Sequence, residues 1–246
     1  MRAARVVTPA PSLILAAHGS VDPRSTAVAE ALAGRIRRLR PGLDVRAAFL
    51  EKSAPFVGDV LAEVAATGGS AVAVPMLLAS AHHAGVDLPS VIERSGAVVD
   101  QAAVLGEDPA LISLLGHRLA EAGVSADRSD VGVVVVAVGS SSAAANARTA
   151  TLGPLLEART RWAVEVAFAT GPHPTVGEAA ERLRSRGAHR LVVAPWFLAP
   201  GRITDRVAKV AGGLGIPMSA PLGAHNLVAG TLLDRYDEAL SARIAA

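Results

Sequence analysis

The chain has 246 residues, of which 51% are hydrophobic and 3% aromatic, and its 24 Lys and Arg nearly balance its 22 Asp and Glu. The high apolar fraction excludes a disordered chain, and the length suffices for two compact domains or one large one. A formal net charge of +2 gives no reason to expect nucleic-acid binding. Because the chain has no cysteine, any bound metal must be held by His, Asp or Glu.

An uncharged stretch covers residues 64–86. Its strongly apolar part, residues 71–79, has the length of a strand and is too short to span about 30 Å of hydrocarbon. The apolar run near the N-terminus enters a polar HGS turn and no cleavage region follows it. We therefore expect a cytoplasmic protein that does not enter a membrane.

Apolar runs alternate with segments of helical spacing along the first half of the chain. Strands are predicted over residues 13–17, 45–50, 71–79 and 97–104. Helices with Arg and Glu on their outer faces are predicted between these strands, over residues 27–39 and 57–66. Strands that are apolar throughout indicate a parallel sheet covered by helices on both faces. The pattern predicts an α/β fold.

The same order of segments then begins again. SLILAAHGS is echoed by GVVVVAVGS, VRAAFLEKSAPFVGDV by VEVAFATGPHPTVGEA, and AVAVPMLLASAHH by LVVAPWFLAPGRI. Matching positions in these pairs are 119 or 120 residues apart, which indicates two tandem copies of one three-layer domain. We predict residues 1–125 as the first copy and 126–246 as the second, with the boundary in the polar segment 123–130.

Polar residues follow the first three predicted strands of the first copy: His18, Glu51 and the doublet His82-His83. Because ligands bind beyond the carboxyl ends of parallel strands, these side chains are expected to meet at one rim of the sheet. Adjacent residues of an irregular loop point apart, so one member of the doublet should face the site. The matching positions of the second copy hold Val138, Thr170 and the pair Arg202-Ile203.

This asymmetry distinguishes a ligand site from ordinary fold-supporting residues. A lone histidine near a strand end is more often a partly buried polar group than a metal ligand. If the fold required these residues, however, the second copy should require them too. Two imidazoles and one carboxylate suit a divalent ion such as Fe²⁺, Co²⁺, Ni²⁺ or Zn²⁺. The sequence therefore predicts a metal-handling site in the first copy alone.

Three segments of the first copy, LILAAHGSVDPRS, AFLEKSAP and PMLLASAHHAGVDLPS, resemble in order and spacing the class II sirohydrochlorin chelatase family. Members of that family insert Fe²⁺ or Co²⁺ into sirohydrochlorin. The LGEDP, LAPGRITDR and LGAHNLV segments extend the resemblance to two-domain bacterial members. The resemblance implies that His18, His83 and Glu51 are metal ligands and catalytic residues. The second half departs from the family pattern at each of these positions, which argues against a second active site.

The substrate implied by the resemblance sets further expectations. Sirohydrochlorin is a large flat ring with eight carboxylates, so it needs a wide apolar cleft with cations and N–H donors on its rim. We expect this cleft between the two copies, with the second copy as a wall. Helix N-termini after Ser20 and Ser140 would offer N–H groups to carboxylates. Four residues are predicted to bind the substrate: Ser20, Arg24, Ser140 and Arg202.

Several alternatives stay open at this point. Insertion of iron for siroheme is favoured over insertion of cobalt for cobalamin, although both metals use the same ligands. A metal-binding chaperone and a non-catalytic tetrapyrrole carrier are the non-enzyme alternatives. No cofactor is expected beyond the substrate metal. Because the fusion of two copies makes a pseudo-dimer interface intramolecular, a monomer is expected and a homodimer is the alternative.

Overall fold

A computed structural model describes residues 10–79 and 83–245, without the side chains of residues 83, 84, 244 and 245. Within these residues, strands form two wholly parallel sheets, of order β2-β1-β3-β4 and β6-β5-β7. The strands are β1 Ser12–Ala17, β2 Val45–Phe49, β3 Ser70–Pro75, β4 Val98–Gln101, β5 Val131–Ala137, β6 Ala163–Phe168 and β7 Arg190–Pro195. The predicted α/β fold with two repeated units is confirmed.

Helices connect the strands in both halves of the chain. In the first half they are α1 Pro23–Leu39, α2 Val57–Ala66, α3 Leu88–Ser95 and α4 Pro109–Glu121, with a wide π-type turn at His83–Asp87 before α3. In the second half they are α5 Ala143–Ala150, α6 Leu152–Glu157, α7 Val176–Ser185, α8 Arg202–Gly213 and α9 Asn226–Ala245.

Several element boundaries differ from those predicted; strand β4, for example, ends at Gln101 and not at residue 104. Helix α1 begins at Pro23 and not at residue 27, because the Asp22 side chain caps it and proline suits the first helical position. Strand β3 ends at Pro75, whereas the apolar pattern continued to residue 79. Proline has no N–H to donate to a sheet, so apolar residues beyond it do not extend the strand.

Each sheet is buried on both faces, as its continuous apolar strands predicted. In β1, Leu13 and Leu15 face a core that is shared with the second half, whereas Ile14 and Ala16 face α2 and α3. This division follows from the two-residue period of side chains along a strand.

The last helices of the two halves are exchanged. Helix α9 packs against α1, β3 and β4 of the first half, and α4 packs against α6 and β7 of the second. The Arg118 guanidinium in α4 donates to the Leu222 carbonyl at 2.7 Å, and that of Arg235 in α9 donates to the Leu105 carbonyl at 3.1 Å. The two arginines occupy matching repeat positions, so the exchange is reciprocal. One hydrophobic core consequently includes residues of both halves.

Candidate metal centre at the rim of the first sheet

A glycine turn brings the residue after β1 against the residue after β2. Gly19 has a φ of +93°, and a Cβ at this position would lie 1.7 Å from the Glu51 carbonyl oxygen. Only glycine tolerates both the left-handed backbone and this close approach. The Glu51 N–H then donates to the His18 carbonyl at 3.0 Å. The backbone thus places the side chains of His18 and Glu51 side by side at the carboxyl ends of the strands.

The His18 ring is oriented by its own turn. Its Nδ1 lies 3.0 Å from the Gly19 carbonyl oxygen, and because a carbonyl oxygen only accepts, Nδ1 carries the hydrogen. In the neutral ring Nε2 then carries the lone pair with which a histidine binds a metal ion. Nε2 lies 3.4 Å from Glu51 Oε1, and the two side chains are 36% and 47% exposed. Two donor atoms thus face the same accessible space.

Lys52 also contacts the carboxylate of Glu51. Its Nζ lies 2.5 Å from Oε1, the oxygen that faces His18. Sequence reasoning did not single out this lysine. The sequence offered one signal, which is that the matching residue of the second copy is a glycine, Gly171. In the structure both positions adopt a positive φ.

The third predicted ligand position follows β3. The backbone of His83 begins the turn His83–Asp87, whereas its side chain and the whole of His82 lie outside the described residues. Within residues 10–79 and 83–245, no cluster combines three or more His, Cys, Asp or Glu side chains suited to a metal. What the structure brings together is the pair His18 and Glu51, and the assignment of His83 stays a prediction.

The predicted substrate-binding serines organise the two matching turns. Ser20 exchanges hydrogen bonds with the Ser53 hydroxyl, which accepts from the Ser20 N–H at 3.1 Å and donates to its carbonyl at 2.7 Å. In the second half the Asn146 side-chain amide makes the same two contacts with Ser140, at 2.9 and 2.7 Å. Each serine hydroxyl accepts a backbone N–H two residues further on. These contacts leave the O–H of each serine to donate.

The predicted cation Arg24 spans the two halves. It forms ion pairs with Asp22 at 2.6 Å and with Asp205 in the first turn of α8 at 2.5 Å. The hydrogen bonds from Arg24 lower the pKa of Asp22. Asp22 also accepts the Arg24 backbone N–H and so caps α1. The expected open helix N-terminus after Ser20 therefore already has a carboxylate.

The structure places the other predicted cation, Arg202, at the first residue of α8, where it is exposed. It lies on the same helical turn as Asp205, which pairs with Arg24 across the two halves. Arg202 thus lies beside a carboxylate that is already engaged, and the exposed Arg206 of the same helix donates to the Ala169 carbonyl after β6.

A cleft of about 600 Å³ lies between the halves, beside the segment that follows β3 of the first half. It reaches Leu78 and Ala79, which follow β3, and its far side is formed by α5 and α9. Arg148 and Arg235 line it together with the acidic residues Glu107, Asp108 and Glu238, and the other lining residues are apolar or glycine. Arg235 is committed to the Val104 and Leu105 carbonyls and to Asp108, so Arg148 is the exposed cation of this cleft.

No helix within the described part of the chain combines the length and the apolar character that crossing a membrane requires. The fold and the rim define a class of protein: a duplicated parallel α/β protein with the His18–Glu51 pair beyond the strand ends of its first copy, and with Val138 and Thr170 at the matching positions of the second.

Comparison with known families defines this class further. The family model CbiX matches residues 12–122 and 132–239, one match in each half. The chain therefore belongs to the CbiX family.

Curated relatives and solved structures agree with this membership. A sirohydrochlorin cobaltochelatase from Priestia megaterium is 24% identical over 95% of this chain and 81% of its own length. The chloroplastic sirohydrochlorin ferrochelatase of Arabidopsis thaliana is 36% identical over 32% of this chain and 38% of its own. The structure of SirB from Bacillus subtilis with Fe³⁺ matches with a TM-score of 0.78 and 22% identity, covering 93% of this chain and 95% of SirB. At that identity the structural likeness supports the fold.

Proposed function

We propose that this protein inserts a divalent metal ion into sirohydrochlorin. The observation that carries the proposal is the His18–Glu51 pair, which the turn at Gly19 orients into accessible space and which the second half replaces by Val138 and Thr170. Family membership and the names of the curated relatives support the substrate class.

The geometry of the pair suits a metal that must be released. Two bonds of about 2.1 Å to atoms 3.4 Å apart enclose an angle of about 108°, close to that of tetrahedral coordination. His83 is the proposed third ligand. Two or three protein ligands leave coordination positions for the incoming ring nitrogens, whereas four would form a closed structural site.

Insertion also requires proton transfer. The macrocycle exchanges two pyrrole N–H protons for one M²⁺ ion, so two protons must leave for every metal bound. Neutral imidazoles accept protons near neutral pH. We assign this role to His18 and His83 after the metal has left them for the ring, because one nitrogen lone pair cannot hold a metal and a proton together. Glu51, beside the Nε2 atom of His18, would stabilise the imidazolium that forms there.

The remaining assignments concern the substrate. Residues 1–125 are proposed as the unit with the metal site and residues 126–246 as the unit that walls the cleft. The Ser20 and Ser140 hydroxyls and Arg202 would contact substrate carboxylates. Arg24 would do so by exchanging its Asp205 partner for a carboxylate of the ring. A cytoplasmic monomer is proposed, since the exchanged helices α4 and α9 already join the two halves within one chain.

Iron is the metal we propose first, and cobalt is the alternative. The name of the Arabidopsis relative supports iron and that of the Priestia relative supports cobalt. Imidazole and carboxylate ligands bind both ions, so metal supply would select between them.

The test is an anaerobic insertion assay with sirohydrochlorin and either Fe²⁺ or Co²⁺, followed by the absorbance of the ring. We expect the wild type to insert metal faster than the uncatalysed reaction. The double variant His18→Ala with His83→Ala should lose at least about 100-fold in kcat/KM, since it removes two ligands and two proton acceptors. Circular dichroism and urea unfolding control for folding.

The same assay separates the alternatives. Metal binding without any insertion by the wild type would favour a metal chaperone. Binding of the ring without insertion, unchanged in His18→Ala, would favour a tetrapyrrole carrier. Undiminished insertion by the double variant would reject the proposed site.

A further inference from the structure

Lys52 has a backbone conformation that its residue type disfavours. Its φ is +63°, and among the residues that the structure describes it is the only non-glycine residue with a positive φ. L-residues with a side chain avoid this left-handed region because the Cβ approaches the following carbonyl oxygen. Backbone strain of this kind is concentrated at functional sites, where the strained residue has a role in the function.

The corresponding loop of the second half has a glycine where the first half has this strained lysine. The position that matches Lys52 is Gly171, with a φ of +90°. The Thr170 N–H donates to the Val138 carbonyl at 3.0 Å, as the Glu51 N–H does to that of His18. Glycine therefore suffices for this turn, and the fold does not require a lysine here.

The ammonium of Lys52 contacts the atom where a metal would bind. Its Nζ lies 2.5 Å from Glu51 Oε1, the same oxygen that faces His18 Nε2 at 3.4 Å. The Lys52 side chain is 50% exposed. Ion pairs at such exposure contribute little to stability, so folding does not account for the strained residue.

Accepting the proposed metal site, we propose that Lys52 is a positioning residue that weakens the site's hold on its divalent metal. The ammonium contacts Glu51 Oε1, and a cation that binds this oxygen competes with it. After its displacement the ammonium stays close to the bound ion, because Lys52 is the residue next to Glu51 in the chain. Both effects lower the metal affinity, so that the ion is transferred to the macrocycle and not retained.

The test measures Co²⁺ affinity by anaerobic titration calorimetry on the full chain, without tetrapyrrole. A like charge about 5 Å from a divalent ion lowers affinity about tenfold in water. We expect Lys52→Gly and Lys52→Ala to bind Co²⁺ about tenfold more tightly than the wild type. Lys52→Arg keeps the charge and should stay near the wild-type affinity. The gain should shrink as ionic strength rises, because salt screens exposed charges.

Backbone strain is separated from charge by comparing the two neutral variants. Lys52→Gly relieves the left-handed strain, whereas Lys52→Ala retains it. We expect Lys52→Gly to be the more stable of the two in urea, with the same gain in Co²⁺ affinity. Gly171→Ala is the matched control in the second half: it adds strain and should leave Co²⁺ affinity unchanged.

Three results would overturn the inference. The first is unchanged or weaker Co²⁺ binding in both neutral variants, while Glu51→Gln still weakens binding. The second is a Co²⁺ affinity that changes with the stability of the protein, so that Lys52→Gly and Lys52→Ala change the affinity in opposite directions. The third is Co²⁺ binding that Glu51→Gln leaves unchanged, which rejects the proposed metal site itself and this inference with it.

Discussion

The turns that follow β1 and β5 have the same backbone and different chemistry. Gly19 and Gly139 have φ values of +93° and +92°, and a Cβ on either would overlap a carbonyl oxygen of the facing loop, at 1.7 and 2.0 Å. His18 and Val138 precede these glycines, and each carbonyl accepts an N–H from the loop after the neighbouring strand, at 3.0 Å in both cases.

The difference between the two turns separates what the fold needs from what the site needs. Backbone hydrogen bonds and glycines persist in both halves, so they belong to the fold. The first half has the imidazole of His18, the carboxylate of Glu51 and the ammonium of Lys52. The matching residues of the second half are Val138, Thr170 and Gly171. Since folding does not require these polar groups, their presence in one half is best accounted for by ligand binding.

The largest expected effect concerns Glu51 and its match Thr170. Glu51→Gln keeps the shape of the side chain and removes the charge, so we expect metal insertion to fall about 100-fold. Thr170→Val removes the hydroxyl that donates to the Val138 carbonyl at 2.7 Å and should leave insertion unchanged. Steady-state assays of both variants measure the contrast. Equal losses of activity in the two variants would contradict a site confined to the first half.

The next effect concerns the two glycines. Gly19→Ala and Gly139→Ala each add a Cβ that must displace a backbone carbonyl, so each should destabilise the fold by at least about 2 kcal/mol. Urea unfolding measures both. Only Gly19→Ala should also weaken Co²⁺ binding, because it moves Glu51 away from His18. A cost below about 0.5 kcal/mol in either variant would mean that the turn relaxes easily.

A smaller effect is expected for the two different side chains that hold the backbones of the matching serines. The backbone of Ser20 is held by the Ser53 hydroxyl, and that of Ser140 by the Asn146 amide. Ser53→Ala and Asn146→Ala should each cost about 1 kcal/mol, the usual value of such hydrogen bonds. Unfolding in urea gives the costs, and calorimetry should show weaker Co²⁺ binding for Ser53→Ala alone. Equal loss of Co²⁺ affinity in both variants would contradict this assignment.

The smallest effect concerns the caps of the exchanged helices. The Asp108 carboxylate accepts the Ala110 N–H at the start of α4, and at the start of α9 His225 Nδ1 accepts the Leu227 N–H at 3.1 Å. Burial, and next the charge of Arg118, lower the pKa of His225 from its usual 6.5. Only a ring that is deprotonated at Nδ1 accepts this hydrogen bond.

The sign of the pH dependence follows from that lowered pKa. As pH falls below 6.5, the unfolded chain takes up a proton that folded His225 resists, so stability decreases until the folded pKa is reached. We expect a loss of about 0.5 kcal/mol in wild type, the lower range for a helix cap. His225→Asp copies the cap of α4 and should remove this component. Urea midpoints at about pH 8 and pH 5.5 measure it, and an equal pH dependence in wild type and variant would refute the assignment.

Much of the fold was readable from local pattern. The constant offset between matching segments predicted the duplication, and continuous apolar strands predicted parallel sheets buried on both faces. The placement of His18 and Glu51 at one rim followed from the rule that parallel strands end at the same edge. These inferences succeed because side-chain period and strand direction are properties of short segments.

Other features depend on residues that are far apart in the chain. Arg24 was predicted as a rim cation, and only the structure shows that Asp205, 181 residues later, pairs with it across the halves. The role of Lys52 depends on a positive φ and a 2.5 Å contact with Glu51, neither of which a residue name reveals. Electrostatic pairs of this kind are set by three-dimensional distance and not by sequence spacing.

The sequence by itself determined that two α/β units exist, that each ends in a helix, and that the second has neither an imidazole nor a carboxylate at the positions that match His18 and Glu51. Only the tertiary structure decided that α4 and α9 exchange partners, so that Arg118 and Arg235 reach carbonyls of the opposite half. The physical reason is that both helices are apolar enough to cover either sheet, and their sequences do not specify which. That choice depends on how the two sheets pack into one shared core.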